Sequence, residues 1–197
     1  MAFVQRTAEA TVLRSGKLPV IDIQVDPEFK YVGSTSFILY EVAHVEQHHF
    51  VVPDAERRVL RRLWFQFEGY LEDNNHTYDY SNLESITLNG LNFVHNAYSM
   101  NIEEAYEARP TSDSAHAIDF LQEKGYRLTG DIMSHRMIWL DPDLRNELMI
   151  IYSEALDPTG YRPVDLAEGG SAAAEWPGLS HGLQERSLAS FRILGSV

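Results

Sequence analysis

The residues best suited to chemistry fall in one stretch, residues 40–50, which reads Tyr-Glu-Val-Ala-His-Val-Glu-Gln-His-His-Phe. Alternate residues of a strand share a face, so His44, Glu46 and His48 point one way, and Ala43, Val45, Gln47, His49 and Val51 the other. Imidazole titrates near neutral pH and a carboxylate beside it can hold one tautomer, so this spacing suits metal-free general acid/base catalysis. It also suits metal binding. Neighbouring members of His-x-Glu-x-His lie about 7 Å apart at Cα and can share zinc, iron or manganese, whereas the outer two lie about 13 Å apart. A third ligand would come from Glu68, His76 or His135.

A hairpin must position these residues. Residues 33–52 are rich in β-branched and aromatic side chains, Pro53-Asp54-Ala55-Glu56 breaks the run, and residues 59–71 alternate Leu63, Phe65 and Phe67 with Arg62, Trp64, Gln66 and Glu68. A loop of Ala55-Glu56-Arg57 sets Asp54 opposite Arg58. Counting back, His48 faces Trp64, Glu46 faces Gln66, His44 faces Glu68 and Val42 faces Tyr70. This register collects His44, Glu46, His48, Trp64, Gln66, Glu68 and Tyr70 on one face and Ala43, Val45, Leu63, Phe65 and Phe67 on the other; a one-residue slip mixes the two. The polar face reads either as a solvated sheet surface or as the lining of a pocket. Lysine and arginine are sparse on it, with Arg62 at its end, which is unusual for a strand in open solvent.

In the pocket reading, His44, Glu46, His48 and Glu68 carry acid/base chemistry, and Trp64, Gln66 and Tyr70 orient a ligand. Tyr70 or Tyr152 could donate to a developing oxyanion. His76, within Asn75-His76-Thr77-Tyr78-Asp79-Tyr80, reads as part of a polar loop or a pocket rim. His135 shares a strand face with Met133, Met137 and Trp139, so it reads as a buried core histidine or as a ligand contact.

The remaining elements frame this hairpin. Ile86-Thr87-Leu88, Asn89-Gly90 and Leu91-Asn92-Phe93-Val94 form a second hairpin around a type I′ turn. Thr111 or Ser112 caps a helix whose apolar face is Ala117, Phe120 and Leu121, with the stem of Lys124, and Gly125 ends it. Residues 132–140 and 147–153 flank Asp141-Pro142-Asp143 as a third hairpin. Residues 180–194 read as a C-terminal helix bearing Leu183, Leu188, Phe191 and Leu194. The expected fold is α+β: a curved or barrel-like, mainly antiparallel sheet with one crossing helix and a C-terminal helix. Residues 1–30 read as an irregular lead-in, 31–157 as the core domain, and 158–197 as a linker and docking helix.

Composition narrows the chemistry. The 197 residues include no cysteine, so thiolate metal sites, disulfides and cysteine nucleophiles are excluded. A net charge of −13 argues against nucleic acid and anionic membranes as partners. There is no run near the ~20 apolar residues of a membrane span, and the N-terminus lacks a signal-peptide core, which suggests a cytoplasmic location. Phosphate-binding glycine loops, dinucleotide fingerprints, Gly-x-Ser-x-Gly and His-Glu-x-x-His are absent. No particular cofactor is implied. The expected activity is small-molecule binding, with acid/base chemistry of the isomerase, dehydratase or cyclase type. A non-catalytic carrier and a His/Glu metalloenzyme are the alternatives. The expected partner is a small organic ligand, and the C-terminal helix allows a homodimer.

Overall fold

Three antiparallel hairpins build the main sheet of the protein, here a computed structural model that describes residues 6–194. The first joins β5 (Ala43–Pro53) to β6 (Val59–Tyr70), with β4 (Lys30–Leu39) alongside β5. The second joins β7 (Glu84–Leu88) to β8 (Leu91–Asn101). Its turn holds Asn89 at φ 46° and Gly90 at φ 81°, the left-handed pair a type I′ turn requires. The third joins β9 (Asp131–Leu140) to β10 (Asn146–Ala155), and Asp141 closes its turn by accepting from the backbone N–H of Arg145 and Asn146. The order β4-β5-β6-β10-β9-β8-β7 leaves β4 and β7 as free edges, so the sheet is open rather than a barrel.

The first hairpin corrects the register read from the sequence. Its loop is as expected: Asp54 N–H donates to Arg58 O at 2.9 Å, and Arg57 takes a positive φ of 64°. Val52 then pairs with Arg61 while Pro53 pairs with Val59, which leaves Leu60 as an extra residue in β6. This bulge displaces all later pairs by one. His48 lies opposite Phe65, His49 opposite Trp64, Gln47 opposite Gln66 and Val45 opposite Glu68; His44 faces Gly69. Both faces therefore mix polar and apolar residues, and both are covered.

One covering layer comes from the chain ends. Residues 7–25 are not irregular: β1 (Thr7–Glu9), β2 (Val12–Gly16) and β3 (Val20–Val25) pair in sequence, and β11 (Phe191–Leu194) joins β3. The C-terminal helix starts earlier and ends earlier than the sequence suggested. It spans Trp176–Ala189 (α4 below, after α1–α3), and Phe191 to Leu194 are strand. This small sheet and helix bury Leu13, Ile23, Leu183 and Phe191 against Phe50, Phe65, Met137 and Ile150 of the main sheet.

The opposite face lies under two helices rather than one, α1 (Ile102–Ala108) and α2 (Asp113–Glu123). The Ser112 hydroxyl caps α2 by accepting from Ala115 N–H, and Ala115, Ala117, Phe120 and Leu121 are buried. Gly33, at φ 136° in the β4 bulge, allows the helix to approach: a Cβ there would lie 3.1 Å from Phe120 Cζ. A short helix, α3 (Pro163–Leu166), precedes α4. No helix among the described residues is long and apolar enough to cross a membrane.

Candidate functional site

The bulge in β6 divides the candidates found in the sequence between the two faces of the sheet. His44, Glu46, His48, His135 and Tyr152 lie on the face packed against the small sheet and α4. Trp64, Gln66, Glu68 and Tyr70 lie on the face beneath α1 and α2. In the observed register His44 faces Gly69 and Glu68 faces Val45, so the two are not a cross-strand couple.

On the first face the polar groups satisfy one another. Glu46, with no solvent exposure, accepts from Arg6 N–H at 2.8 Å and from Arg6 Nη1 at 3.2 Å, and its other contact is His48 Nε2 at 2.8 Å. His48 Nδ1 pairs with the Tyr31 hydroxyl at 3.1 Å, and His44 Nε2 with the Ser36 hydroxyl at 3.0 Å. This network fastens the N-terminal strands to the main sheet. His44 also lines a cavity of about 200 Å³ with Arg6, Lys17, Phe67, Glu68 and Tyr70. His135 pairs with His95 and with the Ser187 hydroxyl of α4, and burial, aided by His95, lowers its pKa to about 4. It is a core histidine. Tyr152 donates to Glu154, and His76 is exposed beside the Tyr70 ring.

The helix-covered face carries a different set. Glu68 on β6 lies directly opposite Glu147 on β10. Two tyrosines from the 71–83 loop reach over them: Tyr78 donates to Glu68 at 2.9 Å and Tyr80 donates to Glu147 at 2.9 Å. Tyr78 stacks on Tyr70 with ring centroids 4.4 Å apart. Gln66 Nε2 donates to Glu68 at 2.7 Å and more weakly to Asp113 Oδ2 at 3.3 Å. Burial pushes the Glu68 carboxyl up to about 7, and burial plus the facing Glu68 pushes Glu147 up to about 8. The two carboxyls therefore exchange protons as a pair near neutral pH. Asp113, at the first turn of α2, sits between this pair and a cavity.

That cavity, of about 280 Å³, lies between the sheet and the two helices. Trp64, Met149 and Ile151 form its apolar floor, and Tyr98, Asp113 and Arg136 contribute polar groups. Arg136 also stacks over Tyr80, 5.9 Å from the ring centroid, which links the cavity to the carboxyl pair. Among the described residues, the buried side-chain polar atoms without a partner are Gln47 Oε1, both ring nitrogens of His49, Arg58 Nε, Nε and Nη1 of Arg62, and Trp64 Nε1. All but Arg58 belong to four neighbouring positions on this face, since His49 pairs with Trp64, Gln47 with Gln66 and Val51 with Arg62. An unpartnered buried polar atom costs about 1–3 kcal/mol, so a water molecule or a ligand bound here would find open hydrogen-bonding positions.

The sequence pointed to Trp64, Gln66, Glu68 and Tyr70, which share one face, and to the 75–80 loop, whose Tyr78 and Tyr80 reach Glu68 and Glu147; Trp64 lines the cavity of about 280 Å³, whereas Glu68 and Tyr70 line the one of about 200 Å³. It did not point to Glu147, Asp113 or His49. Glu147 carried one legible signal, a carboxyl leading into the apolar run Leu148-Met149-Ile150-Ile151. No group of three or more His, Asp or Glu side chains among the described residues is arranged to hold a metal ion. The chain matches no protein-family model, and neither a curated protein nor a solved structure matches it, which leaves the geometry of this site as the guide to function.

Proposed function

We propose that the protein binds a small organic molecule in the cavity beneath α1 and α2 and performs metal-free general acid/base chemistry on it, of the isomerase, dehydratase or cyclase type. The observation that carries this reading is the Glu68–Glu147 pair, which lies next along the strands to a cavity lined by Asp113 but by neither glutamate. Glu147 is the next residue on its face after Met149, which lines the cavity, so the two are about 7 Å apart at Cα. A carboxyl that still holds its proton at neutral pH is a competent acid, and a second carboxylate across the ligand is a competent base. Asp113 takes a proton from the substrate carbon and Glu147 delivers one to a carbonyl or leaving oxygen; the cycle closes when Asp113 gives its proton to the product or to solvent and Glu147 takes one back from solvent through the half-buried Glu68. Tyr78, Tyr80 and Gln66 hold the carboxyl pair in place.

The test is deuterium exchange. The protein is incubated in D₂O with a panel of small ketones, aldehydes, keto acids and hydroxy acids, and loss of substrate C–H signals is followed by proton NMR. Catalysed exchange that disappears in Asp113→Asn and Glu147→Gln supports the reading, with Leu60→Ala as the control that retains it. Ligand binding without exchange would make the protein a carrier, and exchange unchanged in both variants would overturn the assigned roles.

A further inference from the structure

We infer that the ligand of this cavity is a small organic anion, a carboxylate or phosphate on an apolar body, whose charged end sits against Arg136 and Trp64 Nε1 with Arg62 behind them. The inference rests on the helix-covered face being a ligand site and adds the ligand's chemical class. Arg62 is 4 % exposed, and among the described residues no carboxylate lies within ion-pair distance of it. Its guanidinium stacks on Trp64, 4.8 Å from the ring centroid, directly behind the cavity floor. Burial lowers its pKa only to about 10, so it remains a cation at neutral pH. Asp113 offsets this charge only from beyond ion-pair distance, and an anion entering from solvent would offset more of the cost of burying it.

The cavity wall repeats the pattern. Arg136 and the exposed Arg109 line it, against the single carboxylate of Asp113. Asp113 is already engaged by Gln66 Nε2 and, through Oδ1, by Ser114 N–H at 2.8 Å. A chain whose net charge is −13 thus places two arginines on the wall of one cavity, with Arg62 stacked on its Trp64. The first turn of α2 presents Ser112 and Ser114 to the same space, and Trp64, only 2 % exposed, turns an indole N–H with no acceptor into this region. Met100, Met149 and Ile151 supply the surface for an apolar body.

The experiment follows the Trp64 indole N–H in ¹H–¹⁵N spectra of the full chain, assigned with Trp64→Phe, during titration with benzoate, phenyl phosphate and neutral benzamide to millimolar concentrations at low salt. Benzoate or phenyl phosphate should shift the resonance and benzamide should not; the tighter of the two anions tells a carboxylate ligand from a phosphate monoester. Arg136→Gln and Arg62→Met should each weaken the response roughly tenfold or more, as expected for loss of a hydrogen bond or close contact to a charged group. Arg136 is partly exposed, so its variant keeps the test intact if Arg62→Met does not fold. Equal binding of benzamide and benzoate, or no response to any probe, would overturn the inference. A benzoate response combined with deuterium exchange insensitive to Glu147→Gln would instead sink the acid/base reading alone.

Discussion

Half-buried Glu68 and buried Glu147 face each other across β6 and β10, beneath Tyr78 and Tyr80. Like charges on directly opposed strand positions repel, and here burial adds to the effect, so the sheet accepts the pair only when it holds at least one proton. This arrangement makes the carboxyls reservoirs of protons near neutral pH and gives the protein a measurable pH signature.

Glu147→Gln should report that signature. The folded carboxyl titrates near 8 against 4.5 for an unperturbed glutamate, so below pH 4.5 both the folded and the unfolded chain hold the proton and stability is at its full value. As pH rises from 4.5 toward 8, the unfolded chain loses this proton and the native state keeps it, and stability falls. Glutamine cannot ionise. The variant and the wild type should melt at similar temperatures near pH 4.5, and the variant should melt higher above pH 8. Calorimetric scans across that range check it, and a gap that closes with rising pH would refute it.

His135 should act in the opposite direction. Its folded pKa of about 4 lies below the unbound value of 6.5, so it favours the native state above pH 6.5. That contribution is lost as pH falls from 6.5 toward 4, by about 3 kcal/mol in full. Urea unfolding at the two ends of this window should show the loss in the wild type and a smaller one in His135→Gln.

Glu46 is a structural residue. Its carboxylate is wholly buried between Arg6 and His48, and Glu46→Gln would leave the Arg6 cation without its partner. Breaking a buried pair from one side costs about 3–5 kcal/mol. The expected result is a large fall in the urea midpoint, with the Trp64 indole response to benzoate unchanged in the folded fraction.

Leu60 tests the register. Its side chain is 37 % exposed, so Leu60→Ala should cost under about 0.5 kcal/mol. Deleting the residue removes the bulge and forces β6 to slip against β5 or β10, which turns Trp64, Gln66 and Glu68 toward the wrong layer. The deletion should abolish cooperative unfolding, and a deletion variant as stable as Leu60→Ala would show that the bulge does not set the faces.

Local chemistry alone determined much of this protein. Asn89-Gly90 dictated its tight turn, Ser112 and Gly125 bounded α2, and Asp54 set the loop of the first hairpin, because φ preferences and capping bonds act within a few residues. Alternation of Trp64, Gln66, Glu68 and Tyr70 placed them on one face, since that follows from strand geometry. Which histidines and carboxyls joined them was decided only by the tertiary structure. One unpaired residue, Leu60, exchanged His44, Glu46 and His48 for Gln47 and His49. The segregation of polar from apolar residues that favoured the other register assumes one wet face. This sheet has none, because strands from both chain ends and α4 cover one side while α1 and α2 cover the other. Glu147, Asp113 and Arg136 reach the site from distant parts of the chain, and contacts between segments so far apart depend on the packing of layers, which strand periodicity does not encode.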